Sequence, residues 1–203
     1  MPVQVRPWVP SLLKQELTYM FIRTESTPNP NALKFLPDTE ISSIGPVFFN
    51  TQEEVKGRSL LALKLFAVEG VKSVFYGQDF ITITKEEDSN WDFLKPEILT
   101  IIMDYIISGL PIIETQAEVA SHNGDISSIE KEIMEIIETR VRPSVAMDGG
   151  DIIYKGFENG VVYLQLRGAC SGCPSSSVTL KNGIESMLQH FVPEVKSVEA
   201  FEE

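Results

Sequence analysis

Cys170 and Cys173 are the two cysteines of this 203-residue chain, and both lie in "LRGACSGCPSSS", residues 166–177. A thiolate is a nucleophile and a soft metal ligand. A lone C-x-x-C therefore has three readings: a dithiol redox pair, part of a zinc or iron–sulfur site, or two packed structural thiols. Pro174 suits the first turn of a helix, and Ser175, Ser176 or Ser177 can cap its open amides. The thiols then precede the positive end of a helix dipole, which favours thiolate. Gly168, Ala169, Ser171 and Gly172 are small and leave an open face toward a ligand, unlike the surroundings of packed thiols. The redox reading needs only one chain. However, the order before the motif is helix then hairpin, without a βαβ unit, and the residues between the cysteines are neither aromatic nor proline.

The metal reading has to solve a ligand count. Zinc and iron–sulfur clusters take about four protein ligands, and this chain offers two sulfurs. His190 lies about 25 Å further along a helix at ~1.5 Å per residue, and His122 lies in a polar connecting stretch, so neither completes the site. Two copies of the loop facing each other across a two-fold axis would supply four thiolates. Such a site would be exposed and divided between chains, which suits delivery better than storage.

The elements that position this loop form an α+β chain of two small mixed domains joined by a linker. Residues 1–19 read as an extension, 20–110 as the first domain, 111–126 as the linker and 127–203 as the second domain. In the first domain "MFIRTEST" and Ala32–Leu36 read as extended pieces, because Pro28 and Pro30 exclude a helix between them. Residues 59–70 read as a helix with Leu61, Leu65 and Phe66 on one face, stopped at Gly70. "VKSVFYG" and "FITITK" read as a hairpin turning at Gly77-Gln78-Asp79. Residues 90–109 read as a closing helix with Pro96 in its first turn or marking its start.

The second domain opens with the capping-box pair Ser127 and Glu130 and a helix to about Arg140. "MDGGD" (147–151) reads as a turn requiring positive φ at glycine. A hairpin at Glu158-Asn159-Gly160 follows, with Val162, Leu164 and Leu166 on its buried face. The C-x-x-C loop comes next. Then comes a helix with Leu180, Ile184, Met187, Leu188 and Phe191 in one stripe, ended by Pro193, and "VKSVEAF" returns as a strand.

Hydrophobic residues make up 43% of the chain, enough for packed cores, and the formal net charge is −12. That acidity disfavours nucleic acid and anionic membrane as partners. The window 98–113 is too short and too interrupted to span a bilayer. Two cysteines separated by two residues make no disulfide framework, which points to an intracellular protein. Residues 1–20 lack a secretory core, though they leave room for an organellar remnant, and Met20 could be an alternative start.

"RPSVAMDGGDI" (142–152), "LRGACSGCPSS" (166–176) and "TLKNGIESML" (179–188) resemble the C-terminal domain of NifU-like proteins, the Nfu-type iron–sulfur cluster carriers. "TESTPNPNALKFLP" (24–37), "LFAVEGVKSVFYGQDFITITK" (65–85) and "LKPEILTIIMDYIISGLP" (94–111) resemble the N-terminal domain of the same family. The resemblance implies a non-enzymatic scaffold or carrier. It implies a 4Fe–4S cluster held between two subunits, with 2Fe–2S as the other cluster type, and Cys170 and Cys173 as the ligands. It implies a homodimer when loaded, apo iron–sulfur proteins as recipients and assembly proteins upstream. The bacterial cytoplasm fits the weak N-terminal signal; the mitochondrial matrix is the alternative compartment. From the residues alone, a dithiol–disulfide oxidoreductase and a zinc-bridged structural dimer remain the other readings. "TPNPN" is expected to be structural or a partner surface, and Asp148-Gly149-Gly150-Asp151 has no chemistry assigned.

Overall fold

Two prolines and two side-chain clasps shape the turn between the first two described strands. Between β1 (Arg23–Ser26) and β2 (Ala32–Leu36), the Thr27 hydroxyl contacts the Asn29 and Ala32 carbonyls at 2.9 and 3.0 Å, and the Asn31 amide donates to Asn29 Oδ1 at 3.0 Å. Residues 21–114, 127–171 and 176–201 are described by the computed structural model. The chain continues through β3 (Val47–Phe49), a single turn α1 (Gln52–Val55), α2 (Leu60–Phe66), β4 (Val71–Tyr76), β5 (Ile81–Lys85) and α3 (Trp91–Ile107). The strands form an antiparallel sheet in the order β1-β2-β5-β4-β3.

Alternation along the strands gives this sheet two different faces. Phe35, Val74, Tyr76, Ile81 and Ile83 pack against Leu61 and Leu65 of α2 and Ile98 and Ile102 of α3, all fully buried. Lys34, Phe75 and Thr82 occupy adjacent register positions on the opposite face. An antiparallel sheet commonly leaves such a face to water. Here Lys34, Phe75 and Thr82 are buried too.

The expected hairpin and both helices are present. β3 and α1 were not anticipated, being too short to show a period. The helix expected over 59–70 is shorter, and Ser59 caps it by accepting from the Ala62 amide at 3.1 Å. Pro96 lies in the second turn of α3, not the first. Asn90 sets the start instead, accepting from the Asp92 amide at 2.9 Å, so the helix tolerates the missing proline N–H.

The second unit begins with α4 (Ser128–Ile136), whose Ser127–Glu130 capping box is formed as expected. Helical structure does not stop near Arg140. It passes through a π-helical stretch, Ile137–Val141, into α5 (Arg142–Met147). Pro143 sits in the first turn of α5, where the wider π ladder has already interrupted the regular bonds. β6 (Gly150–Glu158) and β7 (Val161–Gly168) form the hairpin, with a register shift between Tyr154 and Gly156. α6 (Ser176–Phe191) crosses over to β8 (Ser197–Ala200), which runs parallel to β7. The order helix–hairpin–loop–helix–strand is as read from sequence. Among the stripe residues, Leu166, Leu180 and Met187 are half-buried and Phe191 is exposed, with the Arg140 guanidinium 4.5 Å from its ring centre.

The capping box makes one pH prediction. Glu130 accepts from the Ser127 amide (3.0 Å), the Ser127 hydroxyl (2.9 Å) and the Tyr154 hydroxyl (2.9 Å). These bonds, the Ser127 amide foremost, hold its carboxyl below its ordinary value of 4.5. The folded state thus binds this proton less readily than the unfolded chain. The contribution is complete above 4.5 and disappears as pH falls through the lower folded value. Denaturant titrations across the acid range should show Glu130→Gln flattening this loss. Because the group is only partly buried, the effect should be small.

Candidate functional site

Cys170 lies two residues beyond the end of β7, in a turn closed by the Ser171 amide donating to the Gly168 carbonyl at 3.1 Å. The turn rests on the residues that join α5 to β6. The Ala169 amide donates to the Gly149 carbonyl at 3.1 Å, and Gly150 pairs with Gly168 across the strands. Contact here is close enough to exclude side chains. A Cβ on Gly150 would lie 2.7 Å from Cys170 Sγ and 2.8 Å from the Arg167 carbonyl oxygen. A Cβ on Gly168 would lie 2.7 Å from the Gly149 carbonyl oxygen. Gly149 and Gly168 have φ of +80° and +65°.

"MDGGD" is therefore more than a turn. Gly149 carries the positive φ expected of it, while Gly150 is the bed on which the Cys170 sulfur packs. The sequence signal was the Gly-Gly pair itself. Its partner, 20 residues further on, could not be read from local pattern.

Asp151 fixes the far end of this bed. Its side chain is 5% exposed, and its Oδ1 is 3.0 Å from Arg142 Nε in a contact not aligned as a hydrogen bond, so we treat it as an ion pair. Arg142 also donates to the Ile152 carbonyl at 3.0 Å. Burial pushes the Asp151 carboxyl above its ordinary range, and the Arg142 guanidinium opposes that shift. The arginine thus ties the start of α5 to the start of β6.

The first unit completes the surroundings. Asn29 is buried, and its Nδ2 donates to the Ala169 carbonyl at 3.0 Å, one residue before the cysteine. Lys34 Nζ reaches the Ala146 and Met147 carbonyls, each at 3.4 Å, where α5 ends. A cavity of about 450 Å³ lies beside Cys170, walled by Val141, Leu180, Ile184 and Met187 of the second unit and by Pro28 and Asn29 of the first. Reasoning from sequence placed "TPNPN" only as structural or partner-facing, and Lys34 was missed. A lone lysine inside an otherwise apolar strand, "ALKFL", was the available signal.

Cys170 is 5% exposed and belongs to the core cluster of the second unit, which differs from the open thiol expected. Its sulfur packs over Gly150 within the core of its own domain, and Asn29 holds the Ala169 carbonyl one residue before it. Cys173, Pro174 and Ser175 fall outside the described residues, as does His122, so the expected helix start at Pro174 does too. His190 lies in the last turn of α6 against the Phe191 ring, at 4.9 Å between ring centres. Among the described residues, no three His, Cys, Asp or Glu side chains converge as a metal site, and no helix is long and apolar enough to cross a membrane.

Residues 22–109 match the family model described as "Scaffold protein Nfu/NifU N terminal", and residues 133–199 match the "NifU-like domain". A human protein named "NFU1 iron-sulfur cluster scaffold homolog, mitochondrial" is 50% identical over 194 residues, covering 94% of this chain and 76% of its own. A protein of the same name from Drosophila persimilis is 47% identical over 210 residues, covering 98% of this chain and 73% of its own. The solution structure of a NifU-like protein from Saccharomyces cerevisiae aligns with 48% of this chain and 87% of its own, at 31% identity and a TM-score of 0.44.

Proposed function

Because the chain belongs to the Nfu family of NifU-like iron–sulfur cluster scaffold proteins, we propose that it carries a labile 4Fe–4S cluster between two subunits and passes it to apo-proteins. Cys170 and Cys173 are the ligands in this reading. The carrying observation is the sulfur count: two cysteines, two residues apart, in a chain with no others. Two thiolates per subunit give four per pair, the usual complement of a cluster. The cluster is cargo, so the role is non-enzymatic. Upstream assembly proteins would load it, and apo iron–sulfur proteins would receive it.

Residues 20–110 would form the N-terminal domain, 111–126 the linker and 127–203 the cluster-binding domain; the two family matches support this division. The relatives' names carry the word mitochondrial, which favours the mitochondrial matrix over the bacterial cytoplasm.

Anaerobic reconstitution followed by iron, sulfide and native-mass measurement tests the reading. About four irons and four sulfides per dimer are expected. A chain that stays monomeric and retains no iron overturns it. Zinc in the purified protein with unfolding on chelation would identify a zinc-bridged dimer instead. Reduction of a disulfide by the metal-free monomer would identify a dithiol oxidoreductase.

A further inference from the structure

The outer face of the N-terminal sheet meets both halves of the cysteine bed. Asn29 holds the Ala169 carbonyl on the β7 side, at 3.0 Å. Lys34 holds the Ala146 and Met147 carbonyls on the α5 side. Phe75 and Thr82 fill the space between, so close that a Cβ on Gly168 would lie 3.0 Å from Phe75 Cγ, and one on Gly149 would lie 2.9 Å from Thr82 Oγ1. Cys170, one residue beyond Ala169, is 5% exposed, between this contact and the core of its own domain. A thiolate shared with a second copy has to reach beyond its own chain's surface.

The contact has the composition of one that can separate. Its buried members include Asn29, Lys34 and Thr82, polar side chains that water would also satisfy. Thr82 Oγ1 is buried with no hydrogen-bond partner among the described residues, a cost that undocking removes. Interfaces of this kind between domains permit relative motion.

We propose that the N-terminal domain is a removable cover over the Gly168–Ala169–Cys170 turn, held by Asn29 and Lys34, and that two copies pair around a cluster only after it undocks. The second half of this statement rests on the cluster-carrier reading; the first half does not. Linkage then works in both directions: pairing around cargo uncovers the Asn29–Lys34–Thr82 face, and rebuilding that contact favours release.

Thiol labelling of the metal-free chain tests the cover alone. In a Cys173→Ser background the reagent reports only Cys170, and its rate follows the population of the open form. Asn29→Asp keeps the acceptor for the Asn31 amide but loses the donor to Ala169. Lys34→Met keeps the apolar stem and loses the ammonium. Each should raise the labelling rate about three- to tenfold, the change expected for one lost hydrogen bond. Unchanged rates in variants that melt like the parent overturn the cover. A second measurement needs no substitution: in the natural sequence, amine labelling of Lys34, whose side chain is 11% exposed in the docked form, should quicken on cluster loading. Unchanged or slower labelling in a loaded dimer overturns the ordering of undocking before pairing. Failure to load any cluster counts against the carrier reading, while the labelling result still decides the cover.

Discussion

Replacing Cys170 or Cys173 by alanine should reduce retained iron and sulfide to background while the chain still folds. A pair of single variants presents two thiolates where a cluster needs about four, and His190 and the described carboxylates form no substitute site. The two substitutions should not be equivalent in stability. Cys170 is buried in the core of the C-terminal domain, packed over Gly150 and beside Val141, Ile184 and Leu188 in one apolar cluster. Removing its sulfur leaves a small void, for which about 1–2 kcal/mol of destabilisation is typical of such core changes. Reconstitution with iron and sulfide assay gives the first quantity, and urea unfolding of the metal-free chain gives the second. A Cys170→Ala protein that still holds a full cluster would remove that residue from the ligand set.

What could be read from the sequence was local. The Cys170–Cys173 spacing, the Ser127–Glu130 cap, the Asn159–Gly160 hairpin and the Leu180–Ile184–Leu188 stripe each lie within a few residues, where helical and strand periods operate. The sulfur count led from there to a divided site without any structure. What failed to appear was long-range. Asn29 and Ala169 are 140 residues apart, and nothing in "TPNPN" names its partner. The alternation in "ITITK" identifies a strand but implies that Thr82 and Thr84 face water. Instead the whole strand is buried, and on its polar side Thr82 lies against Gly149 of the second domain. Cys170 is less open than the small residues around it imply, and the reason is again long-range. Small residues leave space around a thiol, but they also let another backbone approach, and here Gly149 and Gly150 take that space.

Gly168→Ala should be the most damaging single-methyl change in the C-terminal domain. Its φ of +65° alone costs a residue with a side chain about 1 kcal/mol or more. The added Cβ would also stand 2.7 Å from the Gly149 carbonyl oxygen and 3.0 Å from Gly150 Cα, which are backbone and cannot rotate aside. Forcing them apart adds about 1–3 kcal/mol. A loss of about 2–4 kcal/mol is expected, a large part of a small domain's stability. Gly150→Ala has no positive φ to strain, so its effect should come from contact alone, where its Cβ meets Cys170 Sγ at 2.7 Å and the Arg167 carbonyl oxygen at 2.8 Å. Cys170 would be displaced, and its labelling rate should change while the unfolding midpoint moves less than in Gly168→Ala. Gly156→Ala is the internal comparison, because nothing lies within 4 Å of its Cβ and its φ is not in the left-handed region. It should leave both cysteine reactivity and midpoint within about 0.5 kcal/mol of the parent, as open surface changes do. Equal midpoints for Gly168→Ala and Gly156→Ala would mean that the loop and the Gly149–Gly150 turn are not packed as described, and that the buried position of Cys170 has another cause.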